Sequence, residues 1–513
     1  LPSENQPIVK SALIITIITA ISGILGFLRE SVIAAVFGVG AVTDAYVISI
    51  RVVMISSLLV SVYLSKTFIS TYLRTREEQG DDAALAVANN ALGVSLVVNI
   101  GLMILVQIFA PQILQLTGFD SEQVSASRIA IRIAALQLPI LAFVHFFFGY
   151  LSARKSFFGP NFMGIPMNII MIAVCLIAGT QSGIVGLSIA GLLGMVAQCL
   201  IFLIWLPKEK YRYKRSVRFN TPEIRSDVKI LMPALVGSAL LELNAWVDMI
   251  IATFLGEGIA AAINFATRLP NFVQGLLVLP IASMVYSYMS EYAAKNDTEK
   301  MLNLLWKTVR TILFLVVPII VIAIPSSFDI VRIVFERGAF TPEATLLTGT
   351  ALMWYLPSLL GLTIYNFLIR FFYSLQDTKT PMFCSAVTIS ITIALSLWLS
   401  RFMGIGGIAL ATSIGSGLSS VLLLILLRRK MGPLGFFETA MDVLKMGTSA
   451  APCAFAVLGI RHLMIGEAAI LRFGISTLVG GIVYLLTAFV LKEMVLLEGI
   501  QLLKGRFAKN KAD

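Results

Sequence analysis

Charge is scarce in this chain. Asp, Glu, Lys and Arg make up 13% of its 513 residues against 58% hydrophobic, and the mean hydropathy is +0.90. Soluble domains carry roughly a quarter charged residues, so a water-soluble globule is excluded. Disorder, which needs low hydrophobicity and high charge, is excluded by the same balance. Histidine is nearly missing, with only His145 and His462, and the four cysteines (Cys175, Cys199, Cys384, Cys453) stand singly in apolar stretches. Without an HExxH, a CxxC or a Cys/His cluster, no metal site and no disulfide framework is expected. The cysteines read as small buried hydrophobes. The first apolar stretch is too long for a removed signal peptide and lacks a small-residue cleavage site.

What the chain has in abundance is apolar sequence. A membrane-spanning helix takes about 20 such residues, and fourteen stretches qualify, from 11–37 to 468–492. The expectation is an all-α polytopic membrane protein of 14 transmembrane helices. The net charge of +11 does not point to nucleic acid, because most of the 39 lysines and arginines fall in segments on one side. The largest cluster runs from Lys208 through Arg215, Arg218 and Arg225 to Lys229. By the positive-inside rule both termini are cytoplasmic, with anionic lipid headgroups as the partners of these loops.

An internal repeat divides the spans. Aligning Arg51 with Arg268 also brings Ala35-Val-Phe37 onto Ala252-Thr-Phe254 and Ala45 onto Ala262. Further on, Tyr150-Leu-Ser meets Phe372-Tyr-Ser, and Pro160 meets Pro381. An offset of six spans keeps the second copy parallel to the first, so two six-helix lobes around a central cavity are expected, with two helices appended. The expected parts are an N-lobe over 1–206, a basic cytoplasmic linker over 207–228, a C-lobe over 229–430, and a helix pair with basic tail over 431–513.

Ionisable residues inside such spans cost about 2.5 kcal/mol or more each and mark function. Arg29 and Glu30 stand in the first span, Asp44 and Arg51 in the second. The seventh carries Glu242, Asn244 and Asp248, the eighth Asn264 and Arg268. Measured along the helices from the turns at Gly38, Gly40 and Gly258, the three arginines lie roughly 15 Å deep, near the midplane. A guanidinium stays charged and donates in pairs, which suits a diphosphate. Arg29, Arg51 and Arg268 are therefore the expected diphosphate-binding set. Asp44, Glu30, Glu242, Asn244, Asp248 and Asn264 are the expected cavity and gating polar residues, with Asp44 holding the arginines in place.

The run Gly26-Phe-Leu-Arg-Glu-Ser-Val-Ile-Ala-Ala-Val-Phe-Gly-Val-Gly-Ala-Val-Thr-Asp-Ala-Tyr46 resembles the MurJ (MviN) family of the multidrug/oligosaccharidyl-lipid/polysaccharide (MOP) exporter superfamily. The likeness continues at Ala266-Thr-Arg-Leu-Pro270, Val334-Phe-Glu-Arg-Gly-Ala-Phe-Thr341 and Phe372-Tyr-Ser-Leu-Gln-Asp-Thr-Lys-Thr-Pro381. The resemblance implies a lipid II flippase in the bacterial cytoplasmic (inner) membrane. Its cargo would be undecaprenyl-diphosphate-linked peptidoglycan precursor, moved from inner to outer leaflet by alternating access. It implies roles for Arg29, Arg268 and Asp44, a prenyl-tail groove on the last two spans, a monomer, and cell-wall synthesis proteins as partners. No cofactor is called for; the membrane potential or a monovalent cation would supply coupling. The chain departs from the family's habit at Gly23, where an arginine is common, at Val53-Met-Ile-Ser-Ser57 and at Val60-Ser-Val-Tyr63. The alternative cargoes are another polyprenyl-diphosphate-linked oligosaccharide or, for a cation-coupled MOP-type exporter, a drug. A membrane glycosyltransferase would need clustered carboxylates, and Glu257, Asp329 and Glu336 are scattered.

Overall fold

The computed structural model describes residues 6–119, 121–154, 156, 158–205, 211–432 and 436–498, and every regular element among them is a helix. The first half holds α1 (Gln6–Phe37), α2 (Ala41–Val62), α3 (Phe68–Gln79), α4 (Asp81–Gln115), α5 (Ser121–Ala135), α6 (Gln137–Ala153), α7 (Phe158–Phe162), α8 (Gly164–Ala178) and α9 (Gly183–Trp205). After them come α10 (Pro222–Leu255), α11 (Ile259–Val273), α12 (Leu279–Ala294), α13 (Thr298–Ala323), α14 (Ser327–Phe335) and α15 (Pro342–Tyr355). The last are α16 (Ser358–Ser374), α17 (Lys379–Met403), α18 (Ile405–Met431), α19 (Phe436–Leu463) and α20 (Ala469–Val490).

Among the described residues, 12 helices are long and apolar enough to cross a bilayer, and the α15–α16 pair, bent by 43°, makes 13. The next-to-last of the fourteen apolar stretches, 440–463, falls on α19, a further helix of 28 residues. Backbone groups in hydrocarbon have no water to bond, so each crossing closes its own hydrogen bonds as a helix. The interruptions are local. The α15–α16 bend falls at Leu356-Pro357, and α5 gives way to α6 at Leu136, just ahead of Pro139. Two single π-helical turns, Tyr63–Thr67 and Gln274–Val278, follow α2 and α11.

Contacts define two compact units, one comprising residues to Asn264 together with Arg337–Thr341, the other Phe265–Glu336 and the chain from Pro342 onward. The repeat and the contacts divide the chain at different places, because α10 packs on α2 within the first unit. The 337–341 segment joins that unit by a backbone hook. Gly38 ends α1 at φ 68°, and the Ala339 amide donates to Ala35 O at 2.7 Å. A Cβ on Gly38 would collide with the Ala339 carbonyl.

The first unit is filled at one end by Phe68, Tyr72, Phe146, Phe147, Tyr150 and Phe202, all buried, with ring centroids 5.1–6.0 Å apart across their closest pairs. The second unit packs differently. Thr388, Thr392, Ser396 and Ser400 form a buried seam on α17, facing the glycines and serines of α18. Small residues let helices in lipid approach closely enough for dispersion and side-chain hydrogen bonds to hold them. Ser420 donates to Gly361 O at 2.6 Å across α16 and α18. A Cβ on Gly361 would sit 2.5 Å from the Ser416 carbonyl carbon, whereas one on Gly417 meets nothing within 4 Å. Gly361→Ala should therefore lower the melting temperature in detergent by an amount worth about 1–3 kcal/mol. Gly417→Ala should leave it unchanged or raise it, since alanine favours a helix by roughly 1 kcal/mol. Equal melting of the two variants would contradict this packing.

Candidate functional site

Arg29 lies on α1, Arg51 on α2 and Arg268 on α11. Each is about 12–15 Å along its own helix from the end at the Gly38–Gly40 or Gly256–Gly258 turn. Arg29 and Arg51 belong to the first compact unit and Arg268 to the second.

In the first unit the two guanidiniums have acidic neighbours. Arg29 Nη2 donates to Glu30 Oε1 at 2.6 Å, and Nη1 donates to Asn168 Oδ1 at 3.0 Å. Asn168 comes from α8 and is oriented in turn by Ser22 O, which accepts from its Nδ2 at 3.3 Å. Arg51 Nη1 stands 3.7 Å from Glu242 Oε2 on α10, with both side chains partly exposed. Asp248 is buried and accepts from Asn244 Nδ2 at 3.5 Å, one helical turn away. Asn264 is buried as well. Asn168 was not among the expected residues. The signal for it was present, since a carboxamide in an otherwise apolar span needs a partner.

Asp44 is engaged differently from the role expected for it. Its carboxylate accepts from two backbone amides, Gly258 N at 2.5 Å and Ala261 N at 2.7 Å, both at the start of α11. The first amides of a helix have no partner within it, and the helix dipole favours an anion there. The arrangement is crossed. Glu257 Oε1 accepts from Ala41 N at 3.0 Å at the start of α2, the helix that carries Asp44. Ala261 is also the position that the repeat aligns with Asp44. Thr43 completes the α2 end, its hydroxyl accepting from Gly40 N at 3.1 Å and lying 3.1 Å from Gly38 O. Asp44→Ala should cost about 1–3 kcal/mol by leaving buried amides unpaired. Asp44→Asn should cost less, because one oxygen still accepts; thermal melting in detergent measures both.

Over residues 33–476 the chain matches the family model described as lipid II flippase MurJ. The chain belongs to the MurJ family. It is 25% identical over 438 residues to a probable lipid II flippase MurJ of Bdellovibrio bacteriovorus, covering 84% of each chain. A probable lipid II flippase MurJ of Vibrio cholerae is 26% identical over 434 residues, 82% of each. Among solved structures, a lipid II flippase MurJ in an inward closed conformation superposes with a TM-score of 0.80 at 24% identity, covering 94% of this chain and 100% of that one. An inward-facing multidrug resistance MATE family transporter of the MOP superfamily gives 0.68 at 15% identity over 81% and 95% of the two chains.

This MurJ-family chain is thus a multi-pass membrane transporter and not an enzyme. The three carboxylates weighed for loop chemistry all have structural partners. Glu257 takes the Ala41 amide, Glu336 takes Arg332 at 3.1 Å and the Thr345 hydroxyl at 2.6 Å, and Asp329 takes Arg461 and Arg472. Among the described residues no group of three His, Cys, Asp or Glu is placed to hold a metal ion. His462 is exposed.

Proposed function

We propose that this MurJ-family chain moves lipid II from the inner to the outer leaflet of the bacterial cytoplasmic membrane by alternating access. Arg29, Arg51 and Arg268 hold the diphosphate; Glu30, Glu242 and Asn168 hold the first two of these arginines ready. The observation that carries the reading is the pairing of each first-unit arginine with a carboxylate inside an apolar span. A lone guanidinium there costs about 2.5–3.5 kcal/mol, and an acid at its side lowers that cost between transport cycles. A diphosphate, with more charge and more acceptor oxygens than one carboxylate, displaces the acid and takes bidentate bonds instead. The 3.7 Å separation of Arg51 from Glu242 is loose enough to be exchanged.

The basic linker lies in the cytoplasm, and both termini with it. The repeat-related lobes, 1–206 and 229–430, rock about the diphosphate, and the appended pair α19 and α20 accompanies the prenyl tail. The crossed caps at Asp44 and Glu257 close the outer ends of α2 and α11 in one state and separate in the other. An inside-negative potential assists outward movement of the anion by ~2.3 kcal/mol per charge per 100 mV.

Reconstitution in vesicles with fluorescent lipid II and, in parallel, an unrelated prenyl-diphosphate glycan tests the reading. Selective movement of lipid II is the expected result, and movement of neither would overturn it. Equal movement of both would widen the cargo to polyprenyl-diphosphate glycans at large. One feature favours that broader class: Gly23 is exposed, with nothing within 4 Å of a Cβ built there, where an additional cation would have had room.

A further inference from the structure

Between α9 and α10, residues 211–218 run as non-helical chain laid against α4. Two adjacent asparagines of α4, both buried, hold this strap by its backbone. Asn89 Nδ2 donates to Arg212 O at 3.1 Å, while its Oδ1 accepts from Lys214 N at 3.1 Å and the Tyr211 hydroxyl at 2.8 Å. Asn90 Nδ2 donates to Arg218 O at 2.9 Å, while its Oδ1 accepts from Arg218 N at 2.7 Å and the Ser216 hydroxyl at 3.1 Å. Tyr211 closes edge-on against Tyr150, centroids 5.1 Å apart. Ordering a loop costs about 1–2 kcal/mol per residue, a cost that a plain tether between two helices has no need to meet.

The strap walls a cavity of about 710 Å³. Lys214, Arg215 and Arg218 line it from the strap, with Asp82 and Glu223 on the flanking helices, so one positive charge is in excess. Among the described residues none of these three cations makes an ion pair. Gln79 adds a carboxamide, while the Thr75 hydroxyl at the same wall donates to Thr71 O at 2.9 Å. The volume falls in the roughly 300–1,000 Å³ range of small-molecule sites. Cations without acidic partners, carried on a backbone that Asn89 and Asn90 hold in place, are the chemistry that phosphate oxygens require.

We propose that the strap cavity is a second binding site, distinct from the arginines of the spans, for a phosphate-bearing ligand reaching it from the linker side. A membrane phospholipid headgroup and a soluble phosphate compound share that chemistry. Both reach a cavity open at the end of the bundle, and the strap's cations serve either one.

The test uses the full chain in phosphatidylcholine nanodiscs, titrated calorimetrically with inorganic pyrophosphate. Binding should persist in Arg268→Gln, which alters the span arginines only. Adding Lys214→Gln, Arg215→Gln and Arg218→Gln should then weaken it at least tenfold, about 1.4 kcal/mol, with an unchanged melting temperature because the three side chains are exposed. Repeating the titration with phosphatidylglycerol in the nanodisc separates the sources: competition assigns the site to a lipid headgroup, and an unchanged affinity to a soluble phosphate. Pyrophosphate binding that vanishes in Arg268→Gln, or that ignores the strap substitutions, overturns the proposal. Lipid II movement by the strap variant is read separately, so loss of this site and failure of the flippase reading are told apart.

Discussion

Arg268→Glu should abolish lipid II movement in reconstituted vesicles while the protein still extracts as a single, folded species. The substitution replaces a paired donor by an acceptor that repels the diphosphate. Losing one partner of a desolvated charge pair costs about 2–5 kcal/mol, or roughly 30- to several-thousand-fold in occupancy of the transport-competent complex. Arg268→Lys refines the test. It keeps the charge and loses the planar fork, so an intermediate rate is expected if bidentate geometry matters as well as charge. Wild-type rates in the glutamate variant would remove the diphosphate site from the proposed mechanism, whatever the fate of the other two arginines.

Asp329→Ala should produce the largest loss of stability in the second unit. Asp329 stands on the short helix α14 with a side chain 2% exposed, between Arg461 of α19 and Arg472 of α20. Arg472 Nε reaches Asp329 Oδ2 at 2.9 Å, and Nη2 of Arg472 and Nη1 of Arg461 take its oxygens as well. One carboxylate therefore ties the appended pair to the rest of the unit, aided by the Tyr484 hydroxyl donating to Phe314 O at 3.2 Å. Removing it leaves two mostly buried guanidiniums without their counter-charge, at a cost of about 3–5 kcal/mol. Asp329→Asn should cost nearly as much, since the shape is kept and the charge is not.

The pH dependence follows from the same geometry. Burial alone would push the Asp329 carboxyl up, but the hydrogen bonds and charges of Arg472 and Arg461 outweigh it and hold the group below the usual carboxylate range. A group whose pKa is depressed by folding binds fewer protons folded than unfolded. Its contribution is complete above the unfolded value near 4 and disappears as the pH falls through the lower, folded value. Melting of wild type and Asp329→Asn in detergent should therefore differ widely at pH 7, with the gap beginning to close only below about pH 4 and vanishing once the pH is below the folded value. A constant gap across that range would show that the carboxylate's charge is not what holds α19 and α20.

Much of the architecture was legible before any coordinates. Span positions follow from hydropathy because a helix in hydrocarbon must be apolar around nearly its whole surface for about 20 residues. The breaks between α5 and α6 and between α15 and α16 lie beside Pro139 and Pro357, whose missing amides weaken a helix at those points. The arginines at bilayer depth stood out because charge is so rare around them. Their partners were less visible. Glu30 is adjacent in sequence to Arg29, yet Asn168 and Glu242 lie on remote helices, and nothing in local spacing selects them from other polar residues. Asp44 was legible as important and misjudged in kind. Sequence displays side-chain types, whereas its partners are the backbone amides of Gly258 and Ala261, which every residue but proline carries.

Composition and hydropathy alone determined that this chain crosses a membrane many times and places arginines within apolar stretches. The reason is that solvation in lipid is decided residue by residue, and each residue's transfer cost is printed in its side chain. Only the tertiary structure decided that Asp44 and Glu257 cap each other's helices, that Asp329 gathers Arg461 and Arg472, and that Asn89 and Asn90 turn a basic linker into a fixed strap. Those choices depend on which helix ends lie within 3 Å of one another, a property of packing that no stretch of sequence carries by itself.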